Sequence, residues 1–335
     1  MPCAIVNGSQ LQTRSVAPER YGEPYDCEIE RLVLSSGLNA NDEGAVGPNG
    51  LNARRCHMKK LVMLSAILGA LSAASAPGAE EAIPLEIYQG KQFTVEATVP
   101  GKPRTFLFDT GEGVTMIDPA LAREAGCEPW GNIAGFRMTG DRIDTKRCDG
   151  VAFNMGRRRY FAPSVMVYDL GEIAGKDAPP LSGAIGLDLF AGRTITLDLP
   201  QRRLVVETLA SLRARLRDAT EVPLRLVQGD AGGLDVNLGV TTVKGFAWME
   251  LDTGNAGPTI FVSQAMAPLF GLNLETREPQ DVVARLGTAV LKTRARVFPN
   301  MIMDGNIGMQ LVRERAITLD LKEGRAWLAP VAARR

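Results

Sequence analysis

The side chains best suited to chemistry in this chain of 335 residues are two aspartates set in matching surroundings. Leu107-Phe108-Asp109-Thr110-Gly111 is echoed by Glu250-Leu251-Asp252-Thr253-Gly254, the aspartates standing 143 positions apart. In each copy Asp ends an apolar run, a β-branched Thr with a stiff side chain follows, and Gly permits a tight turn and close backbone approach. Two carboxyls held about 3 Å apart cannot both ionise and so share one proton. The ionised member can take a proton from a bound water while the protonated one donates to a carbonyl, an acid–base route to peptide-bond hydrolysis. The pair titrates jointly, so neither residue alone is the acid. A single Asp-Thr-Gly is more often an ordinary turn; its repetition carries the argument.

The elements that must position these residues repeat as well. In the first copy the pattern predicts strands over Phe93–Val99, Thr105–Phe108 and Val114–Ile117, then a helix from Pro119 to about Ala125, capped by Asp118 and stopped by Gly126. The second copy predicts strands over Leu234–Val240, Gly245–Leu251 and Thr259–Val262, then a helix over Gln264–Phe270 between Ser263 and Gly271. Gly183-Ala184-Ile185-Gly186-Leu187 pairs with Gly305-Asn306-Ile307-Gly308-Met309. Ile-Thr-Leu-Asp-Leu follows each, at 195–199 and 317–321, with 12 positions from Gly186 to Asp198 and from Gly308 to Asp320. Final strands are expected over Arg203–Val206 and Arg325–Leu328. Between the copies, Glu207–Glu221 reads as an amphipathic linker helix whose arginines face solvent.

Composition agrees with a globular, β-rich chain: 45% hydrophobic, 23% charged and formal net charge +0. After Ala76 there are 31 basic and 31 acidic residues, and Arg157-Arg158-Arg159 reads as a solvated hairpin, so no nucleic-acid partner is expected. The one histidine, His57, lies outside the expected mature chain, which excludes a Ser-His-Asp triad, a Cys-His pair and a His-ligated zinc. No metal or cofactor is expected.

Met58-Lys59-Lys60, the apolar run Leu61–Leu71 and the small residues Ser72–Ala76 have the form of a secretory signal peptide over 58–76. Export to the periplasm or the medium follows, with no stable membrane span after cleavage. Residues 1–57 then read as upstream sequence or a disordered extension. Cys127 and Cys148 are the cysteines left in the exported part, either as one disulfide or as two separate buried thiols.

With both Asp-Thr-Gly segments and their Ala184-Ile185-Gly186 and Asn306-Ile307-Gly308 companions, the chain resembles the aspartic peptidases, in particular the bacterial retropepsin-like group. The resemblance spans about Leu85 to Ala329. It implies an all-β fold of two related closed β-barrel lobes with short helices and an active site at the lobe interface. The lobes would occupy 83–207 and 222–333, joined by a linker at 208–221. It implies catalytic Asp109 and Asp252, supported by Thr110, Gly111, Thr253 and Gly254, the threonines bracing the two loops against each other. Both halves are in one chain, so a monomer is expected. The substrate would be an extended peptide or protein under a flap hairpin, for which Phe136–Ile143 with Met138, Thr139 and Gly140 at its turn is the candidate. Its second-lobe counterpart is expected near Leu286-Gly287-Thr288.

Four residues depart from the family pattern. Glu112 and Asn255 follow the two Asp-Thr-Gly segments, Glu250 stands where an apolar residue is common, and Asn306 is polar where Ala184 is not. Glu112 raises the pKa of the pair if it points inward and does nothing if it faces solvent. The alternative function, an exported peptide-binding protein with weak or no catalysis, rests on these departures.

Overall fold

A computed structural model describes residues 80–329, apart from 172–174 and 176. The expected signal peptide at 58–76 and the 57 residues before it lie outside the described residues. The first half runs β1 (Glu81–Pro84), β2 (Glu86–Tyr88), β3 (Gln92–Thr98), β4 (Pro103–Phe108), β5 (Met116–Ile117), helix α1 (Pro119–Glu124), β6 (Trp130–Phe136), β7 (Arg142–Met155), β8 (Arg158–Val167), β9 (Gly183–Ile185), β10 (Thr194–Asp198) and β11 (Arg203–Val206). Helix α2 (Leu209–Arg215) leads into the second half: β12 (Thr220–Val222), β13 (Leu224–Gln228), β14 (Leu234–Thr242), β15 (Gly245–Asp252), β16 (Thr259–Ser263), α3 (Ala267–Phe270), β17 (Gln280–Leu286), β18 (Ala289–Phe298), β19 (Gly305–Gly308), α4 (Met309–Val312), β20 (Ala316–Asp320) and β21 (Arg325–Leu328).

The fold is all-β with short helices, and it closes two barrels of six strands each. In the first, β3-β4-β9-β5-β8-β7 pair in that order and β7 returns to β3 at Thr98 and Asn154. In the second, β14-β15-β19-β16-β18-β17 follow the same order and β17 returns to β14 at Val240 and Leu286. Closure leaves no barrel edge unpaired. Alternating strands send Phe106, Phe108, Phe153 and Tyr160 into the first core, and Val236, Met249, Leu251 and Ile260 into the second. Each of these side chains contributes about 2–3 kcal/mol by leaving water.

A third sheet, β1-β11-β10-β20-β21-β12, joins the two halves. Its centre pairs the two Ile-Thr-Leu-Asp repeats antiparallel, with Thr196 opposite Thr318 and their hydroxyls 2.8 Å apart. Because Thr196 and Thr318 are also equivalent in the repeat, a local two-fold axis passes between them. The linker docks beside this axis. Thr208 caps α2 in a capping box, and the half-buried Arg215 pairs with Glu207 and Asp198, while Arg213 and Arg217 stay exposed. The linker's basic residues are therefore only partly a solvated face. The basic triplet departs from expectation in the same way: Arg158 binds the buried Glu81 at 2.6 Å.

Local signals placed most elements correctly. Asp118 caps α1, its Oδ1 accepting the Leu121 amide at 2.7 Å. The second helix is shorter than expected, Ala267–Phe270 instead of 264–270, because Pro268 has no N–H and suits only the opening turn. Cys127 and Cys148 form a disulfide with Cα atoms 5.9 Å apart, tying the segment after α1 to β7. Closing a loop of 21 positions stabilises the fold by about 3 kcal/mol. The Cys127→Ala/Cys148→Ala protein is thus expected to unfold at lower urea concentration than wild type, which chemical denaturation checks. Among the described residues no helix is long and apolar enough to cross a membrane.

Candidate active site

Both aspartates sit at the C-terminal ends of equivalent strands. β4 runs parallel to β9 and β15 parallel to β19, so each Asp-Thr-Gly segment is framed by its own Ile-Gly companion: Phe108 lies opposite Ile185, and Asp252 opposite Gly308. The motifs paired in the sequence are therefore neighbours in space.

The two loops grip each other across the lobe interface through four hydrogen bonds made by their threonines. The Thr110 amide donates to Thr253 Oγ1 at 3.0 Å, and the Thr253 amide donates to Thr110 Oγ1 at 3.1 Å. Thr110 Oγ1 donates to the Leu251 carbonyl at 2.6 Å, and Thr253 Oγ1 to the Phe108 carbonyl at 2.9 Å. Both threonines are fully buried. Thr110→Val keeps the shape but orphans the Thr253 amide and the Leu251 carbonyl, each costing about 1–3 kcal/mol. A loss of about 3 kcal/mol in urea unfolding is expected, and a loss below about 0.5 kcal/mol would contradict this role.

The grip brings Asp109 and Asp252 face to face within hydrogen-bonding reach. The approach is so close that a Cβ on Gly254 would lie 2.1 Å from Asp109 Oδ2, and one on Gly111 would lie 2.9 Å from Asp252 Cγ. Only glycine fits at either position. Asp109 Oδ1 accepts the amides of Gly111 at 3.0 Å and Gly254 at 3.1 Å. Asp252 Oδ1 accepts the Asn255 amide at 2.8 Å, and its Oδ2 accepts Asn306 Nδ2 at 2.7 Å. Burial, then the facing charge of Asp252, holds the Asp109 carboxyl well above the usual carboxylate range.

The departures in the second lobe form one connected unit. Glu250 lies opposite Asn306 across the β15–β19 pairing, and Asn306 Nδ2 donates to Glu250 Oε2 at 2.9 Å as well as to Asp252. Asn306 Oδ1 in turn accepts from Asn255 Nδ2 at 2.7 Å. An acid in place of an apolar residue is thus answered by an amide on the adjacent strand. Burial first, and the charges of Asp252 and Asp235 next, push Glu250 up to about 9.

Glu112 points inward. It is half-buried, and burial followed by the charges of Asp109 and Asp252 holds it well above its ordinary value. Two further acids, not singled out from sequence, act on Glu112 as well. Asp188 accepts from the Thr115 hydroxyl at 2.5 Å and its amide at 3.0 Å, and burial raises it to about 6. Asp235, on β14, lies beside Gly113 with its buried Oδ1 lacking a hydrogen-bond partner among the described residues, and it is raised to about 6 by burial and by Asp188. The available signal for Asp188 was its place two residues after Gly186; Asp235 offered none beyond a charge within an apolar strand. Gln92 was also missed: its Nε2 donates to the Gly254 carbonyl at 2.7 Å from the opposite lobe.

Met138, Thr139 and Gly140 lie at the turn of the β6–β7 hairpin. Thr139 Oγ1 donates to Asp141 Oδ2 at 2.7 Å, and the Ile302 amide donates to the Met138 carbonyl at 3.1 Å, so the turn touches the second lobe. Leu286-Gly287-Thr288 is not its counterpart. That turn joins β17 to β18, the equivalents of β7 and β8, and Thr288 meets Thr220 at 3.1 Å beside β12. Strand β6 has no partner in the second barrel among the described residues. A cavity of about 400 Å³ lined by Pro100, Cys127, Asp149 and Arg159 contains none of the clustered acids. Among the described residues no group of His, Cys, Asp and Glu has the arrangement of a metal site.

No curated protein matches this chain in sequence. Similar solved structures include basic 7S globulin from soybean (11% identity, TM-score 0.48) and conglutin gamma, a basic 7S globulin from lupine seeds (9% identity, TM-score 0.47). Each alignment covers 76% of this chain and 95% of the other. Residues 95–189, the part of the first barrel that carries Asp109 and its Ala184-Ile185-Gly186 companion, match the aspartyl protease family model.

Proposed function

We propose that the protein is an aspartic endopeptidase in which Asp109 and Asp252 share one proton and activate a water molecule against a peptide bond. The two buried carboxyls that the threonine grip holds face to face carry this reading, because keeping two acids together out of water is costly and acid–base catalysis is its evident use. Asp109 is held by backbone amides and Asp252 by Asn306 and Asn255, so both carboxyls are fixed in place for the exchange of a proton. The contact between the β6–β7 turn and Ile302 supports its role as a flap, under which an extended peptide would add as a strand. One chain supplies both aspartates, so the active form is a monomer with no cofactor. The disulfide favours an oxidising compartment, in keeping with a periplasmic or secreted protein.

The test is digestion of a denatured protein from acidic to neutral pH, with Asp109→Asn as control. Cleavage abolished by the substitution supports the peptidase. A second reading, an exported peptide-binding protein with weak or no catalysis, draws on Glu112 and Glu250 crowding the pair. Peptide binding without turnover at any pH favours it.

A further inference from the structure

Six acids cluster around the facing carboxyls: Asp109, Glu112, Asp188, Asp235, Glu250 and Asp252. None of them takes part in an ion pair with a Lys or Arg among the described residues. Four of them have donors: backbone amides hold Asp109, Asn255 and Asn306 hold Asp252, Asn306 holds Glu250, and Thr115 holds Asp188. Asp235 Oδ1 has no hydrogen-bond partner among the described residues, but it is shut off from solvent. The Glu112 carboxyl has no hydrogen-bond or ion-pair partner among the described residues, and the two aspartates of the pair are the charges that act on it most strongly. Its residue is only half-buried, so solvent, and hence a ligand, can reach it.

We infer that Glu112 is a specificity-determining residue whose carboxylate receives the ammonium or guanidinium of a substrate Lys or Arg close to the bond being cut. This rests on the peptidase reading above and names its substrate class, basic peptides. A peptide laid over this cluster would cut Glu112 off from solvent. An apolar side chain at that place leaves the acid dehydrated without a donor, which is unfavourable. A cation instead supplies a charge-assisted hydrogen bond and offsets repulsion from Asp109 and Asp252. The other acids serve less well: Asp109, Asp188, Glu250 and Asp252 are held by donors, and the free oxygen of Asp235 is closed to solvent.

The test uses two fluorogenic peptides identical except for Lys or norleucine, with that residue moved in turn through the positions flanking the scissile bond. Wild type is expected to prefer the Lys peptide at one position by about tenfold or more in kcat/KM, the worth of one charge-assisted hydrogen bond. In Glu112→Gln, and in Glu112→Ser should the first fold poorly, the ratio is expected to fall to about one. General damage would lower both rates and leave the ratio standing. Equal rates in wild type at every position, or a preference that survives both substitutions, overturns the inference while the peptidase reading stands. If wild type cleaves neither peptide, the peptidase reading falls. The same comparison by binding anisotropy then decides the recognition: tighter binding of the Lys peptide, lost in Glu112→Gln, upholds it, and equal binding overturns it.

Discussion

Asp109→Asn is expected to keep the fold and to lose peptide hydrolysis by roughly 10²–10⁴-fold. The substitution is close to isosteric. The retained side-chain oxygen can still accept the Gly111 and Gly254 amides at 3.0 and 3.1 Å, and the new amide nitrogen faces Asp252 as a donor. What disappears is the ability of the pair to hold a mobile proton. The matching change on the other side behaves differently. Asp252→Asn keeps an acceptor for the Asn255 amide but turns an NH₂ group towards Asn306 Nδ2, which now lies 2.7 Å from Asp252 Oδ2. Two donors then oppose each other in a half-buried site, so Asp252→Asn should lose activity and also melt below Asp109→Asn. Steady-state kinetics on one peptide and a thermal melt of each variant check both halves. Hydrolysis by Asp109→Asn within a few-fold of wild type would end the paired-carboxyl mechanism.

The second large effect concerns stability against pH. Glu250 is 8% exposed and is pushed up to about 9 in the folded chain, against an ordinary value of 4.5. Its folded-state value is raised, so its contribution is fully present below the unfolded value and is lost as pH rises through the folded one. Between about pH 5 and about pH 8 this amounts to a loss on the order of 4 kcal/mol. Asp188 and Asp235, raised from 3.8 to about 6, act in the same direction over the lower part of the window. The protein is therefore expected to be most stable in mild acid, the reverse of a fold held by salt-bridged carboxylates. Glu250→Gln retains an acceptor for Asn306 and should flatten the profile, ending well above wild type near pH 8 and converging with it towards about pH 4. Urea midpoints measured across that range check this; a wild-type protein stabilised by rising pH would contradict it.

Much of this architecture can be read from the chain because it is written twice. The Asp-Thr-Gly loops, their Ile-Gly companions and the two Ile-Thr-Leu-Asp runs recur in one order, and the strands built on them take equivalent places in both barrels. Local chemistry misled where two readings share one signature. Gly287 marks a hairpin turn in sequence, but nothing local distinguishes a turn at the cleft from one packed on β12. Glu112 follows the loop at a point where one rotation sends a side chain to water or to the pair, and only the assembled interface decides. Glu250 and Asn306 each stood out as a departure, yet their compensation was invisible until pairing between β15 and β19 set them opposite each other.

The axis between Thr196 and Thr318 has a consequence for direction. A groove with true two-fold symmetry cannot tell the amino end of a bound chain from its carboxyl end, since both orientations meet identical walls. Here β6 rises from one barrel alone, and Glu112 and Asn255 occupy equivalent corners with opposite character. On the peptidase reading proposed above, those inequalities give a peptide bound over the pair a preferred heading.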